Sequence, residues 1–157
     1  MFNHILVPID MAEPAFADKA VILAADMARK VQAQLHFLTV LPGFGSPMVG
    51  SYFSRQGFED VRAEVSDQLK AFAEQHVPEG LTVHLNVVGG TPHKEIIKEA
   101  KRVDADLIII PSHTHKVVER FPLGSVAARV VEWATVSVMI LRADDQGPMS
   151  AGEKAQE

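Results

Sequence analysis

Gly124 and Ser125 form the stretch of the sequence whose residue types best suit a phosphate group. They open an amphipathic helical pattern, and a glycine at a helix start lets an anion approach backbone amides that have no partner within the helix. Four side chains in the preceding loop are basic or titratable: His113, His115, Lys116 and Arg120. The combination favours anion binding, although a Gly-Ser pair also occurs at ordinary helix caps and a run of charges is often simply solvated.

Pro8 and Asp10 end an apolar run near the start of the chain. A proline cannot donate to a sheet ladder, so at the end of a strand it stops pairing and lets the chain splay open. Asp10 is then expected at the carboxyl edge of the sheet. There it either accepts hydrogen bonds from a ribose or a base, or caps the following turn, and the residues favour neither interpretation over the other.

Several classes of site are excluded by missing residues. The chain has no cysteine and neither a GxxxxGK[ST] nor a GxGxxG stretch, so a thiolate, a P-loop and a dinucleotide fingerprint are absent. His113 and His115 lie two apart with no carboxylate near them, which is poor spacing for a metal, and the seven histidines are expected to form no other cluster. A phosphoacceptor receiver needs paired acids after strand one and a lysine after strand five, where this chain has Asp10 and Arg142.

Five apolar runs alternate with four helical patterns. The runs cover residues 5–9, 35–40, 81–88, 107–110 and 136–141. Four of them lack polar alternation, as expected for strands covered on both faces, whereas the third alternates and is expected at a sheet edge. This order predicts a doubly wound parallel α/β sheet, with ligands at the carboxyl ends of its strands.

Each helical pattern places apolar residues on one face. The faces comprise Ala20, Leu23, Ala24, Met27 and Val31; Val61, Val65, Leu69 and Phe72; Ile96, Ile97, Ala100 and Val103; and Val126, Ala127, Val130, Val131 and Ala134. Pro14 and Pro92 are expected in the first turns of the first and third helices, and Pro78 and Gly80 beyond the end of the second.

Two segments fall outside this alternation. Residues 42–58 are rich in glycine, proline and serine and predict a long loop, either a flexible surface connection or a lid. The side chains such a lid would use are Phe44, Met48, Tyr52, Phe53 and Phe58. The polar residues 143–157 are expected to form a disordered tail after a domain spanning residues 1–142.

Composition indicates one globular domain. The chain has 157 residues, of which 47% are hydrophobic, and a formal net charge of −5. The charge argues against a nucleic-acid surface, and no apolar run approaches the roughly 20 residues that span a bilayer. The first residues lack the features of a signal peptide, so a cytoplasmic location is expected.

The chain resembles the universal stress protein family between Phe2 and Arg142. The resemblance rests on ILVPID, LHFLTV, GGTPHKEII, ADLIIIPSH, LGSVAARVV and VSVMILR, in this order and spacing. The family's nucleotide motif is G-x2-G-x9-G-[ST]. Its spacing is kept here, but Pro111 and Thr114 stand where the first two glycines are expected. The Ser112-His113 pair resembles the F/G-type branch, which is associated with adenine nucleotides.

The resemblance implies an adenine nucleotide alpha hydrolase-like sheet of order 3-2-1-4-5 with four helices. It places Asp10 opposite the 111–125 loop across one crevice. Pro8 and Asp10 would lie near ribose and adenine, and the backbone of Val40 would meet the adenine edge. The phosphates would be held by the residues that match the motif: Pro111, Ser112, His113, Thr114, Gly124, Ser125 and Val126.

The expected function is therefore binding of ATP or another adenine nucleotide, with magnesium as a companion ion, by a stress-response regulator without fast turnover. Two alternatives remain: a nucleotide-free dimeric interaction protein, and a slow ATPase or autokinase. The family also implies a homodimer that pairs between Val136 and Leu141. An unidentified signalling partner is expected, and neither nucleic acid nor membrane.

Overall fold

The computed structural model describes residues 1–44, 55–112 and 124–142. Five parallel strands form one sheet: β1 (His4–Pro8), β2 (Gln34–Leu41), β3 (Val83–Gly89), β4 (Leu107–Ser112) and β5 (Ser137–Arg142). Their order is β3-β2-β1-β4-β5, so the order implied by the resemblance is confirmed and β3 lies at an edge as its alternation predicted. Because the winding reverses between β1 and β4, a crevice is expected at their carboxyl ends.

Four α-helices in the described residues connect these strands: α1 (Asp18–Val31), α2 (Arg55–His76), α3 (Pro92–Arg102) and α4 (Ser125–Trp133). Pro92 begins α3 as predicted, whereas Pro14 begins a short 3-10 helix (Pro14–Ala17) that leads into α1. Among these residues, no helix has the combination of length and apolar composition needed to cross a membrane.

The sheet is covered on both faces, which explains its unbroken apolar strands. In β1, Ile5 and Val7 pack on the α1 and α2 side, while Leu6 between them packs on the α3 and α4 side. The buried face of α1 agrees only in part with the predicted one. Ala20 and Ala24 are buried as predicted, but Leu23, Met27 and Val31 are only half-buried. The other buried residues of this helix were not predicted: Val21, Ala25 and Ala28.

The predicted loop over residues 42–58 is shorter than expected, because α2 already includes Arg55–Phe58. Phe58 packs against Phe44 with ring centroids 5.1 Å apart, over the last residue of β3, Gly89. Both rings therefore close against the sheet edge rather than serving as free lid side chains. The other expected lid residues, Met48, Tyr52 and Phe53, and the tail of residues 143–157, lie outside the described part of the chain.

The outer edge of β3 is occupied by a side chain from α2. Gly90 N–H donates to Leu41 O on β2, so alternate residues of β3, including Val87, turn their backbone groups away from β2. The Arg62 Nε–H donates to the Val87 carbonyl at 3.0 Å. A charged side chain bound to an edge carbonyl hinders pairing with another strand.

Candidate functional site

A cavity of about 340 Å³ lies at the carboxyl ends of β1, β2 and β4. The 3-10 helix, α3 and α4 all begin at its walls. Strand ends and helix starts of a parallel sheet meet at such a switch point because every crossover helix runs back across the sheet. Helix starts also bring unpaired backbone amides to the same place.

Pro8 explains why the crevice opens between β1 and β4. The Asp106 N–H donates to His4 O at 3.0 Å just before the ladder between the two strands, and the register pairs of that ladder are Ile5 with Leu107 and Leu6 with Ile108. The next bond in the alternation of a parallel ladder would need an N–H at residue 8. Proline has none, so pairing ends there, as the sequence predicted for this residue.

On its other side β1 continues further. The Ile9 N–H donates to Leu38 O at 2.8 Å, and the Thr39 hydroxyl donates to Ile9 O at 2.9 Å. Both Ile9 and Thr39 are 2% exposed. The end of β1 is therefore fastened to β2 and free of β4, which makes one rigid wall of the cavity.

Asp10 lies at the rim of that wall. Its Oδ1 accepts a hydrogen bond from the Ala12 N–H at 2.9 Å, and its carbonyl accepts one from the Glu13 N–H at 3.2 Å. The turn-capping role is thus present, and it holds an exposed carboxylate at the cavity, so the two interpretations of Asp10 are compatible. Glu13 also lines the cavity, which places a second carboxylate at this rim.

Gly124 and Ser125 lie on the opposite rim. Gly124 is the N-cap of α4 and Ser125 is its first residue, so the pair opens a helix as its sequence pattern predicted. The first helical hydrogen bond runs from Ala128 N–H to Gly124 O at 3.0 Å. The amides of residues 125 to 127 precede it and have no partner within the helix.

The cavity gathers eight of the ten residues predicted from the sequence: Pro8, Asp10, Val40, Pro111, Ser112, Gly124, Ser125 and Val126. His113 and Thr114, as well as the basic His115, Lys116 and Arg120, lie outside the described residues. Sequence reasoning missed Glu13, Phe16, Pro42 and Pro92, which also line the cavity. Their positions could have been inferred, since each lies just beyond a strand end or at a helix start.

A second group of titratable side chains lies at the opposite, amino-terminal half of the sheet. His4, His36 and His84 stand side by side on β1, β2 and β3, so the expectation that the histidines form no cluster besides His113 and His115 is wrong. His4 Nδ1 and His36 Nε2 are 3.0 Å apart, and the rings of His36 and His84 stack with centroids 4.9 Å apart. They meet because the strand register aligns positions distant in the sequence.

Burial is the main reason that the pKa of His36 is lowered to about 4, and the neighbouring His84 and His4 lower it further. Glu99 of α3 faces this row and is itself buried. Its carboxylate accepts two hydrogen bonds from Arg102, at 2.8 and 2.6 Å, which lower its pKa, and further bonds from Asn86. No group of residues within the described ranges has the arrangement of a metal site.

A family model described as the universal stress protein family matches residues 1–142. Universal stress protein MJ0531 of Methanocaldococcus jannaschii is 28% identical over 145 residues, covering 90% of this chain and 83% of that protein. Universal stress protein G of Salmonella typhimurium is 26% identical over 144 residues, covering 90% of this chain and 100% of that protein.

Solved structures share the fold. Hypothetical protein MJ0577 superposes with a TM-score of 0.73 at 22% identity, over 92% of this chain and 99% of that one. A universal stress protein in complex with cAMP has a TM-score of 0.57 at 21% identity, over 90% and 97%. The universal stress protein from Archaeoglobus fulgidus in complex with dAMP has a TM-score of 0.61 at 22% identity, over 88% and 96%.

Proposed function

The chain belongs to the universal stress protein family, and on that premise we propose that it binds an adenine nucleotide in the cavity between Asp10 and Gly124. The observation that carries the proposal is the convergence of the predicted residues on one cavity, eight of them on its walls. Its volume of about 340 Å³ lies within the range typical of small-molecule sites.

The identity of the base is proposed from two relatives of the same fold, whose structures are complexes with cAMP and dAMP. Both ligands contain adenine and one phosphate. In this chain Pro8 and Asp10 would lie beside the ribose and base, and the Val40 backbone beside the adenine edge. A purine between the ends of β1 and β2 would contact the apolar wall formed by Leu38, Ile96 and Ile110.

The phosphates would lie at the start of α4, where Gly124, Ser125 and Val126 line the cavity. The amides there carry the positive end of the helix dipole, which favours an anion. The described cavity wall has two carboxylates, Asp10 and Glu13, and no lysine, arginine or histidine. Positive charge for more than one phosphate must then come from residues 113–123 or from a magnesium ion.

Pro111 leaves the crevice side of β4 without one donor. Odd-numbered residues of β1 bond to β2, so its even-numbered residues direct their backbone groups toward β4. Because Leu6 is opposite Ile108, it bonds to the residues on either side of Ile108, and the odd-numbered residues of β4 therefore face β1. An amide at residue 111 would point to the crevice, where proline has none, so the proposed phosphate site depends on the amides at the start of α4.

The test is calorimetric titration of AMP and ATP into the protein and two variants, each with a matched control. Asp10→Ala and Gly124→Val should each weaken binding about tenfold or more, since one removes an acceptor and the other blocks the approach to helix amides. Asp26→Ala on α1 and Ala128→Val on the exposed side of α4 should leave the affinity unchanged. Equal affinities in all five proteins would show that nucleotide does not bind between Asp10 and Gly124.

A simpler experiment distinguishes nucleotide binding from the alternative of a protein that works without a nucleotide. Protein purified without added ligand is denatured, and the supernatant is chromatographed for adenine nucleotides. Retained nucleotide supports the proposal. Absence of nucleotide, together with no heat on titration with either AMP or ATP, supports the alternative of a protein that acts through partners alone.

We also propose a homodimer that forms through β5. The two sheet edges differ: Arg62 occupies a carbonyl of β3, whereas β5 is paired only with β4 in the described residues. Ile110 faces β5 and is opposite Ile140, so in a parallel ladder it bonds to the residues on either side of Ile140. The backbone groups of Ile140 then point to the open edge, where a second copy could pair.

A further inference from the structure

The hydrogen bonds at the end of β2 have a consequence for the Val40 amide. The backbone hydrogen bonds between β1 and β2 alternate regularly toward the carboxyl ends of the two strands. The last of them runs from Ile9 N–H to Leu38 O. The next bond in sequence would run from Val40 N–H to Ile9 O. The described residues contain no such bond.

The Ile9 carbonyl is instead satisfied by a side chain. The Thr39 hydroxyl donates to it at 2.9 Å, and both residues are buried. A buried carbonyl needs a partner, and here Thr39 supplies one in place of the Val40 amide. The hydroxyl can replace the amide as the donor because Thr39, the residue before Val40, reaches the same carbonyl oxygen.

Val40 is therefore left with an N–H that points toward the β1 side and away from β3. Register pairs Val40 with Val88, but the β2 residues that bond to β3 are the odd-numbered ones, as the bond from Leu35 N–H to Thr82 O shows. Val40 lines the cavity. An unpaired amide on a cavity wall is a donor for water or for a ligand.

We infer that Thr39 is a positioning residue, whose hydroxyl occupies the Ile9 carbonyl and thereby keeps the Val40 amide available to the base of a bound nucleotide. Thr39 itself does not touch the ligand. Its hydroxyl takes the place of the last backbone hydrogen bond between β1 and β2. The same hydroxyl holds the peptide group of Ile9, which leads into Asp10. This inference rests on the proposed function for the identity of the ligand, but the state of the Val40 amide can be measured without one.

Thr39→Val is the decisive variant, because it keeps the shape and the strand preference of the side chain and removes the hydroxyl. The Ile9 carbonyl then loses its partner, and the Val40 N–H can close the next ladder bond. Thr39→Ser keeps the hydroxyl and serves as the matched control. Amide hydrogen exchange of the ligand-free protein, resolved by NMR, should show Val40 exchanging much faster than Ile9 in the wild type and in Thr39→Ser.

In Thr39→Val, the Val40 amide should become protected by tenfold or more. A Val40 amide that is already as protected as Ile9 in the wild type, or that exchanges equally in all three proteins, would overturn the inference. The outcome does not depend on whether any nucleotide binds.

Titration with ATP and with tripolyphosphate then tests the link to the ligand. Loss of one hydrogen bond to the base should lower ATP affinity about tenfold in Thr39→Val and leave Thr39→Ser within about twofold. Tripolyphosphate, which has no base, should bind all three proteins equally. Unchanged ATP affinity in Thr39→Val would show that Thr39 has no role in base recognition. If no protein binds ATP, the proposed function fails and hydrogen exchange alone decides the inference.

Discussion

The imidazoles of His4 and His36 share a hydrogen bond of 3.0 Å between Nδ1 of the first and Nε2 of the second, across the β1–β2 pair. A protonated imidazole has two donors and no acceptor, so this bond requires at least one neutral ring. On the other side His84 stacks on His36, and of the charged groups on α3, Glu99 favours a proton on His36 while Arg102 opposes it. Burial and the two neighbouring imidazoles thus lower the pKa of His36 to about 4, so the ring is neutral in the folded protein at neutral pH.

The first prediction is that stability falls as the pH is lowered. The unfolded chain protonates His36 near pH 6.5, whereas the folded protein does so only near its lowered pKa of about 4. Between these values the unfolded state binds more protons, so the free energy of unfolding decreases with falling pH. The loss attributable to His36 between pH 7 and pH 5 should be about 2 kcal/mol, measured by urea unfolding.

His36→Gln removes the titration and should flatten this part of the pH dependence. His93→Gln is the control, because His93 lies on α3 against Trp133 and away from the histidine row. A pH dependence as steep in His36→Gln as in the wild type would assign the acid sensitivity to other groups.

The second prediction concerns Gly89, at the end of β3. A Cβ atom at this position would lie 2.9 Å from Cβ of Phe44 and 2.9 Å from Cε2 of Phe58. Gly89→Ala should therefore destabilise the protein by about 1–3 kcal/mol through overpacking. In the background of Phe58→Leu the same change should cost less, and an equal cost in both backgrounds would show that the aromatic pair is not the cause.

The third prediction is slow turnover. Efficient phosphoryl transfer needs metal ligands, a group that orients the nucleophile, and stabilisation of developing charge. The described cavity wall offers Asp10 and Glu13 at the same rim and no cationic side chain. Steady-state hydrolysis of ATP with magnesium should stay far below the roughly 1–100 s⁻¹ typical of kinases. A rate in that range, lost in Asp10→Ala, would make the protein an enzyme.

The fourth prediction is that Ile140→Pro yields a monomer. Proline at an outward-facing edge position removes a donor to a second copy while sparing the bonds to β4. Light scattering at micromolar concentration should give twice the mass of the 17.1 kDa chain for the wild type and one chain for the variant. Circular dichroism should confirm that the variant is folded, and a monomeric wild type would contradict the proposed dimer.

Much of the fold could be predicted because local and global preferences agree. Three apolar runs without alternation form the buried strands β1, β2 and β4, and the alternating third run forms the edge strand β3. The fourth run without alternation forms β5, which is a half-buried edge strand. The buried face of α1 was harder to predict. Alanine is only weakly hydrophobic, and the packing of α1 on the sheet buries small residues such as Ala25 and Ala28 more fully than the larger Leu23 and Met27.

The site was predictable only in part. Pro8 and Gly124 have distinctive backbone chemistry, so their positions at the cavity could be inferred from residue type. Thr39 could not be recognised, because threonine is common in strands and its role depends on where β1 ends. The histidine row was equally hidden, since His36 and His84 are neighbours only through strand register.

Arg62 is bonded to a backbone carbonyl of β3, so the two edges of the sheet differ in their free hydrogen-bonding groups. A sheet with two open edges could pair with further copies at either edge and grow into a fibre. In the proposed dimer only the β5 edge would pair with a second copy, and an isologous pair would leave no further attachment point. Arg62 would then limit assembly by strand pairing to two copies, so that a high protein concentration would favour closed pairs over filaments.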